Sequence, residues 1–241
     1  MDVINRGFGG YNTEWLLPVL EHEIIPSVSN VILWVVLIGA NDAMLPPGEN
    51  HVPSTCRGTP LKSDQVPLDK FTNNLLQILS LIEAYHTAVG TKPRLLLFTP
   101  PPVREEMVAK HIPLQQGLRS REHTFAYSRV VMELPVPPWV AKLDLHEAIE
   151  LAPAQVYLEQ PKHFGELDPT ASRFEDGGMI MSIDDYLSDG LHLKNPSYKI
   201  MYNLTMETIG RRWPEIIPEA MPMPVTWWGN LVQGQNQRIE L

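Results

Sequence analysis

Apolar positions along this chain fall in two rhythms. Val31 to Ile38 is an unbroken apolar run rich in β-branched residues, closed by Gly39 and then by polar Asn41 and Asp42. Such a run predicts a strand covered on both faces, as in the middle of a parallel sheet. Residues 94–99 and 140–145 predict two more buried strands, and Val3 to Gly10 a short strand entering a glycine-rich turn. Between them, apolar residues recur at helical spacing. Phe71, Leu75, Ile78, Leu79, Ile82 and Tyr85 define one face of a helix that starts at Asp69 and stops at Gly90. Leu16, Val19, Leu20 and Ile24 define another, capped by Asn12 or Thr13 and interrupted by Pro18. Residues 116–134 predict a third, with Phe125, Val130 and Val131 inward. Asn195 and Pro196 open the last, lined by Tyr198, Met201, Tyr202 and Ile209. The order β-α-β-α-β-α-β-α predicts a doubly wound three-layer α/β/α domain over residues 1–212, followed by an aperiodic extension at 213–241.

Proline alters this picture locally. Its 23 residues cluster at 46–67, 100–113, 135–138 and 214–224, which predicts irregular connections there. Residues 43–67 exceed the usual loop length and predict a functional cover or an insertion. Residues 150–180 predict a second irregular insertion. A net charge of −9 argues against nucleic acid and anionic membranes as partners. No apolar run reaches about 18 residues, so no bilayer span is expected. Cys56 is the single cysteine, which forbids an intrachain disulfide. With no basic-then-apolar start after Met1, this predicts a reducing, cytoplasmic location.

Candidate chemistry concentrates near the end. Asp189 and His192 stand three apart in a turn that contains Gly190. That spacing lets a carboxylate hold one imidazole nitrogen while the other faces a cleft, the base half of a nucleophile–His–Asp triad. Other chemistries are poorly served. Gly7, Gly9 and Gly10 follow a short predicted strand, but Asn12 stands where a dinucleotide fingerprint needs its third glycine. No phosphate loop, no His-Glu-x-x-His and no cysteine pair occurs, so neither a cofactor nor a metal is expected. His146 and Glu147 read as a helix start, and Asp184 and Asp185 as a solvated turn. Asn203-Leu-Thr205 fits a glycosylation acceptor but lies on a predicted helix. Trp227 and Trp228 in the tail read as packing on the domain, with binding of a partner as the alternative.

Three fragments in order, the Asn5 to Gly10 segment, Gly39-x-Asn41-Asp42, and Asp189-Gly-Leu-His192, together resemble the SGNH (GDSL-type) hydrolases. The isoamyl acetate-hydrolysing esterase branch is the nearest match. There the resemblance extends to Arg6 through Thr13, the Thr99-Pro100 pair and Leu187 through Leu193, and spans about residues 2–210. It implies a flavodoxin-like fold with a parallel sheet, and a small-molecule ester substrate such as an acetate ester of a short alcohol. It also implies roles. His192 would be general base and then general acid. Asp189 would orient it. The backbone N–H of Gly10 and the side-chain amide of Asn41 would form the oxyanion hole.

One element of the pattern is absent. The family's nucleophile is the serine of a Gly-Asp-Ser motif at the end of the first strand, upstream of the segment matching Asp2 to Thr13. No Gly-Asp-Ser occurs in the chain. Ser188 has the wrong order and context, and Cys56 could substitute only if its loop reached His192. The resemblance thus implies a sheet lacking its first strand and a polypeptide nearly inactive as written. The block would either lie upstream in a longer gene product, the favoured reading, or be lost in a truncated paralogue. The alternative function is an SGNH-fold pseudoenzyme or ligand-binding module.

Overall fold

A computed structural model describes residues 2–45, 55–56, 59–60, 65–159, 182–217 and 219–221. The chain enters through an irregular segment that ends in a turn at Gly9 and Gly10. Helix α1 (Thr13–Val19) follows, then a π-helical stretch at Leu20–Ile24 and the short α2 (Ile25–Ser27). Strand β1 (Trp34–Leu37) comes next, and β2 (Thr55–Cys56) and β3 (Thr59–Pro60) form a small antiparallel hairpin. Then come α3 (Leu68–Val89), β4 (Leu95–Phe98), α4 (Glu105–His111), α5 (Arg121–Glu133), β5 (Val140–Leu143), α6 (Leu145–Glu159) and α7 (Asn195–Arg212).

Strands β1, β4 and β5 form a parallel sheet in the order β1-β4-β5, with Trp34 opposite Leu95 and Leu95 opposite Val140. Strand alternation then divides the core into two layers. Leu95, Leu97, Trp34 and Val36 face α1, α3 and α5, where Phe71, Leu75, Ile78, Ile82, Tyr127 and Val131 pack. Leu96, Phe98, Ala141 and Leu143 face α6 and α7, against Leu145, Ile149, Ile209 and Trp213. The result is the expected three-layer α/β/α arrangement. No helix among the described residues is long and apolar enough to cross a membrane.

The sheet differs from expectation at its rim. Val31 to Ile38 is not a central strand covered on both faces. Only Trp34–Leu37 is strand, it lies at the edge, and Val35 and Leu37 are 50% and 38% exposed. The central strand is β4, buried along its whole length. An apolar run states that cover is needed; it does not state which helices reach it. Helices α6 and α7 pack over β4 and β5 and leave the same face of β1 open. Val3 to Gly10 forms no strand, and Val3 is 91% exposed.

Helices depart in smaller ways. α3 and its stop are as expected, with Gly90 in the left-handed region (φ 70°) closing the last turn. α5 starts at Arg121, because the Ser120 side chain caps it by accepting from the His123 N–H. Phe125 points outward, tilted against the His146 ring, while Val131 is buried. Tyr198 and Tyr202 are exposed, so α7 packs through Ile200, Met201, Leu204 and Ile209 instead. The insertion expected at 150–180 begins with helix: α6 runs to Glu159 despite Pro153. Residues 160–181, Trp227 and Trp228 lie outside the described residues. Asp184 and Asp185 are not a solvated turn. Asp185 closes a capping box with Ser182, and Asp184 accepts from Arg104.

Candidate active site

The acid–imidazole couple forms as its spacing suggests. Asp189 Oδ1 accepts the backbone N–H groups of Leu191 (3.0 Å) and His192 (2.9 Å), which folds the turn around the carboxylate. Asp189 Oδ2 is then 2.7 Å from His192 Nδ1. Burial pushes the Asp189 carboxyl up, but the bonds from the His192 main chain and ring and from Leu191 outweigh it and hold the group below its usual range. The His192 side chain is 70% exposed, and the bond at Nδ1 leaves Nε2 as the nitrogen available to a reactant.

Neighbouring elements brace this turn. Leu187 and Leu193 form an antiparallel bridge, and the Ser188 N–H donates to the His192 carbonyl (2.8 Å). Gly190 has φ +88°, and a Cβ there would lie 2.4 Å from the Arg104 carbonyl oxygen. Its own carbonyl accepts from the Arg104 N–H at 2.9 Å. Arg104 Nε donates to Asp184 at 2.9 Å, so one residue clamps the turn and the segment that leads into it.

The second couple lies on two loops held together by buried polar contacts. Asn41 Nδ2 donates to the carbonyl of Tyr11, the residue after Gly10, at 3.0 Å, and among the described residues its second N–H has no partner. Gly10 has φ +82° and open space around any added Cβ. Its glycine is required by the backbone turn, rather than by steric crowding at the reacting carbonyl. Asp42, fully buried, accepts the Thr13 N–H at 3.0 and 3.1 Å and the Thr13 hydroxyl. Asn74 Nδ2 in turn donates to that hydroxyl at 2.9 Å. Burial raises the Asp42 carboxyl to about 6, against the opposing pull of the Thr13 bonds.

Arg119 is the residue that sequence reasoning missed. Its guanidinium is almost wholly buried. Nη2 donates to Asn41 Oδ1 (2.9 Å), Nη1 to the Ala40 carbonyl, and Nε to Gln115 Oε1 (2.9 Å). No local pattern marks it, because its main partner lies 78 positions away.

Asn41 follows β1, and Arg104, which clamps the Asp189–His192 turn, follows β4, so one couple and the brace of the other lie beyond the carboxyl ends of adjacent parallel strands. Gly39 and Pro100 bring those two loops into contact, since a Cβ on Gly39 would lie 3.4 Å from Pro100 Cγ. Among the described residues no hydrogen bond joins Asp189 and His192 to Gly10 and Asn41. A second histidine cluster has triad-like order. Ser128 Oγ lies 3.1 Å from His146 Nδ1, and His146 Nε2 lies 4.0 Å from Glu150. Ser128 and His146 are 2% and 3% exposed, so no ester reaches them. Ser128 also donates to the Pro100 carbonyl, and Glu150 is engaged by Arg121, which makes the cluster a polar tie between α5 and α6. The described residues hold no cluster of metal-ligating side chains.

No profile of a known protein family matches the chain. Individual relatives do. The chain is 26% identical over 235 residues to an isoamyl acetate-hydrolyzing esterase of Saccharomyces cerevisiae, covering 96% of this chain and 79% of that one. It is 26% identical over 226 residues to a GDSL esterase/lipase of Arabidopsis thaliana, covering 92% and 76%. Over nearly its whole length the chain is thus similar to esterases of the isoamyl acetate-hydrolyzing and GDSL kinds. A solved structure of a candidate acylhydrolase from Bacteroides fragilis shares the fold, with a TM-score of 0.52 at 16% identity over 86% of this chain and 74% of that one. Within the SGNH fold, the loops that follow the parallel strands are those that carry Asn41 and the Arg104 clamp here.

Proposed function

We propose that this SGNH chain carries the acid–base and oxyanion machinery of a carboxylic ester hydrolase for small esters, such as acetate esters of short alcohols. The carrying observation is the Asp189–His192 couple, closed at 2.7 Å with an exposed imidazole. The name of the yeast relative supports the substrate class.

In this reading the nucleophile is a serine hydroxyl from outside residues 1–241. Its proton passes to His192 Nε2 as its oxygen bonds to the ester carbonyl carbon. Asp189 accepts from Nδ1–H, which fixes the tautomer and stabilises the imidazolium. The oxyanion accepts from the Gly10 N–H and from the unused N–H of Asn41. Each such donor typically contributes about 3–4 kcal/mol in the transition state. His192 then protonates the departing alkoxide, and water repeats the sequence to release the acid.

The test compares hydrolysis of p-nitrophenyl acetate by residues 1–241 and by a form extended upstream. Turnover confined to the longer form, and lost in its His192→Ala variant, is the expected result. Turnover in neither form turns the assignment toward a scaffold that holds an ester without cleaving it. Turnover by residues 1–241 that disappears in Cys56→Ala would overturn the assigned source of the nucleophile.

A further inference from the structure

We infer that Arg119 is a positioning residue for the oxyanion amide, setting which way the Asn41 carboxamide faces and strengthening it as a donor. This rests on the role proposed for Asn41. A carboxamide flipped by 180° presents an oxygen where a nitrogen stood, and an oxygen aimed at a developing oxyanion would repel it. Asn41 has two neighbours that forbid the flip. Arg119 can only donate, so it must meet Oδ1, at 2.9 Å from Nη2. The Tyr11 carbonyl can only accept, so it must meet Nδ2, at 3.0 Å. The orientation therefore follows from the chemistry of its partners.

The same guanidinium acts on the backbone. Nη1 donates to the Ala40 carbonyl, so one planar group grips two successive residues of the turn that follows β1. Gln115 accepts from Nε at 2.9 Å and fixes the guanidinium plane from behind. Arg119 is 4% exposed, so the grip acts where water screens it little. A cation donating to Oδ1 draws electron density from the amide and makes the second Nδ2–H a stronger donor. Lysine would keep the charge and lose the fork.

The test uses residues 1–241 labelled with ¹⁵N-asparagine, with the Asn41 side-chain amide assigned by its loss in Asn41→Asp. In the wild type its two protons are expected to have well-separated shifts and slow solvent exchange. In Arg119→Met they should move together and exchange at least tenfold faster. Arg119→Lys should fall between. Sodium acetate serves as a probe of the hole: its shift of the Asn41 amide should need at least tenfold more acetate in Arg119→Met. In the upstream-extended form, kcat on p-nitrophenyl acetate should fall about tenfold to a hundredfold with KM little changed, within the effect of losing one oxyanion donor. An Asn41 amide unchanged in both variants overturns the inference. If Arg119→Met does not fold, the Arg119→Lys spectrum decides in the same way. Failure of ester hydrolysis in the extended wild type would sink the proposed function alone, because the amide measurements need no turnover.

Discussion

Thr13 gives Asp42 both its main-chain N–H and its hydroxyl, tying the start of α1 to the loop after β1 across 29 positions. The carboxyl is fully buried, and its proton is held up to about 6 against an ordinary value of 3.8. The sign follows. The folded chain holds this proton more tightly than the unfolded chain. The contribution to stability is therefore full below 3.8 and is lost as pH rises through about 6. Asp42→Asn should remove that component, which is read as a pH-dependent difference in urea midpoint between variant and wild type. Thr13→Val should raise the carboxyl further and cost about 1–3 kcal/mol, the usual effect of leaving a buried acceptor short of a donor.

His86 supplies the opposite slope. Trp34 Nε1 donates to His86 Nε2 at 3.0 Å, so Nδ1 carries the proton that faces Thr91 Oγ1 at 2.7 Å. Burial and then the Arg94 charge hold this imidazole below 6.5. As pH falls below 6.5 the unfolded chain takes the proton first, and stability declines down to the lower folded value. The Trp34 indole N–H resonance should be sharp and downfield at neutral pH and should broaden or shift in acid. Trp34→Phe should cost about 1–3 kcal/mol, since it leaves the buried His86 nitrogen without its donor.

Among the described glycines, Gly190 is the one least able to accept a side chain. A Cβ there would meet the Arg104 carbonyl at 2.4 Å, Met107 Cβ at 2.8 Å and Val108 N at 2.8 Å, in a backbone at φ +88°. Gly190→Ala should cost at least about 1–3 kcal/mol from backbone strain alone. It should also push the turn off α4. A lowered Tm, with loss of the shared-proton signal of His192 Nδ1, is the expected pairing of results. Gly10→Ala meets no neighbour and should cost only the backbone strain at φ +82°.

Asp189→Asn separates holding from ionisation. The carboxylate is held below its usual range, so the couple's contribution is present above 3.8 and declines only as pH falls through the lower folded value. In an ester-hydrolysing form the variant should lose about four orders of magnitude in kcat, by analogy with the aspartate of serine proteases. Stopped assays on p-nitrophenyl acetate would read this, and KM should stay within a few-fold.

Local features were legible in the sequence. The α3 stripe and its Gly90 stop, and the Asp189–His192 pairing, depend on residues a few positions apart. What stayed hidden depends on distant partners. Arg119 reads as one basic residue among many until Asn41 folds against it. The exposure of Tyr198 and Tyr202 depends on where α6 lies. α4 escaped notice because its seven residues sit between prolines and glutamines and bury Val108 alone.

The rim at β1 has a consequence of its own. In a parallel ladder alternate residues bond to the neighbour, and Trp34 bonds toward β4, so the peptide groups of Val35 and Leu37 look outward. Their greasy side chains stand in water on the same strand. Such a border is adhesive: any extended peptide that lies along it gains hydrogen bonds and hides oil together. Among the described residues no strand pairs with this border, so residues 1–241 at high concentration are expected to grow by sheet extension, and Val35→Lys should suppress that growth in light scattering.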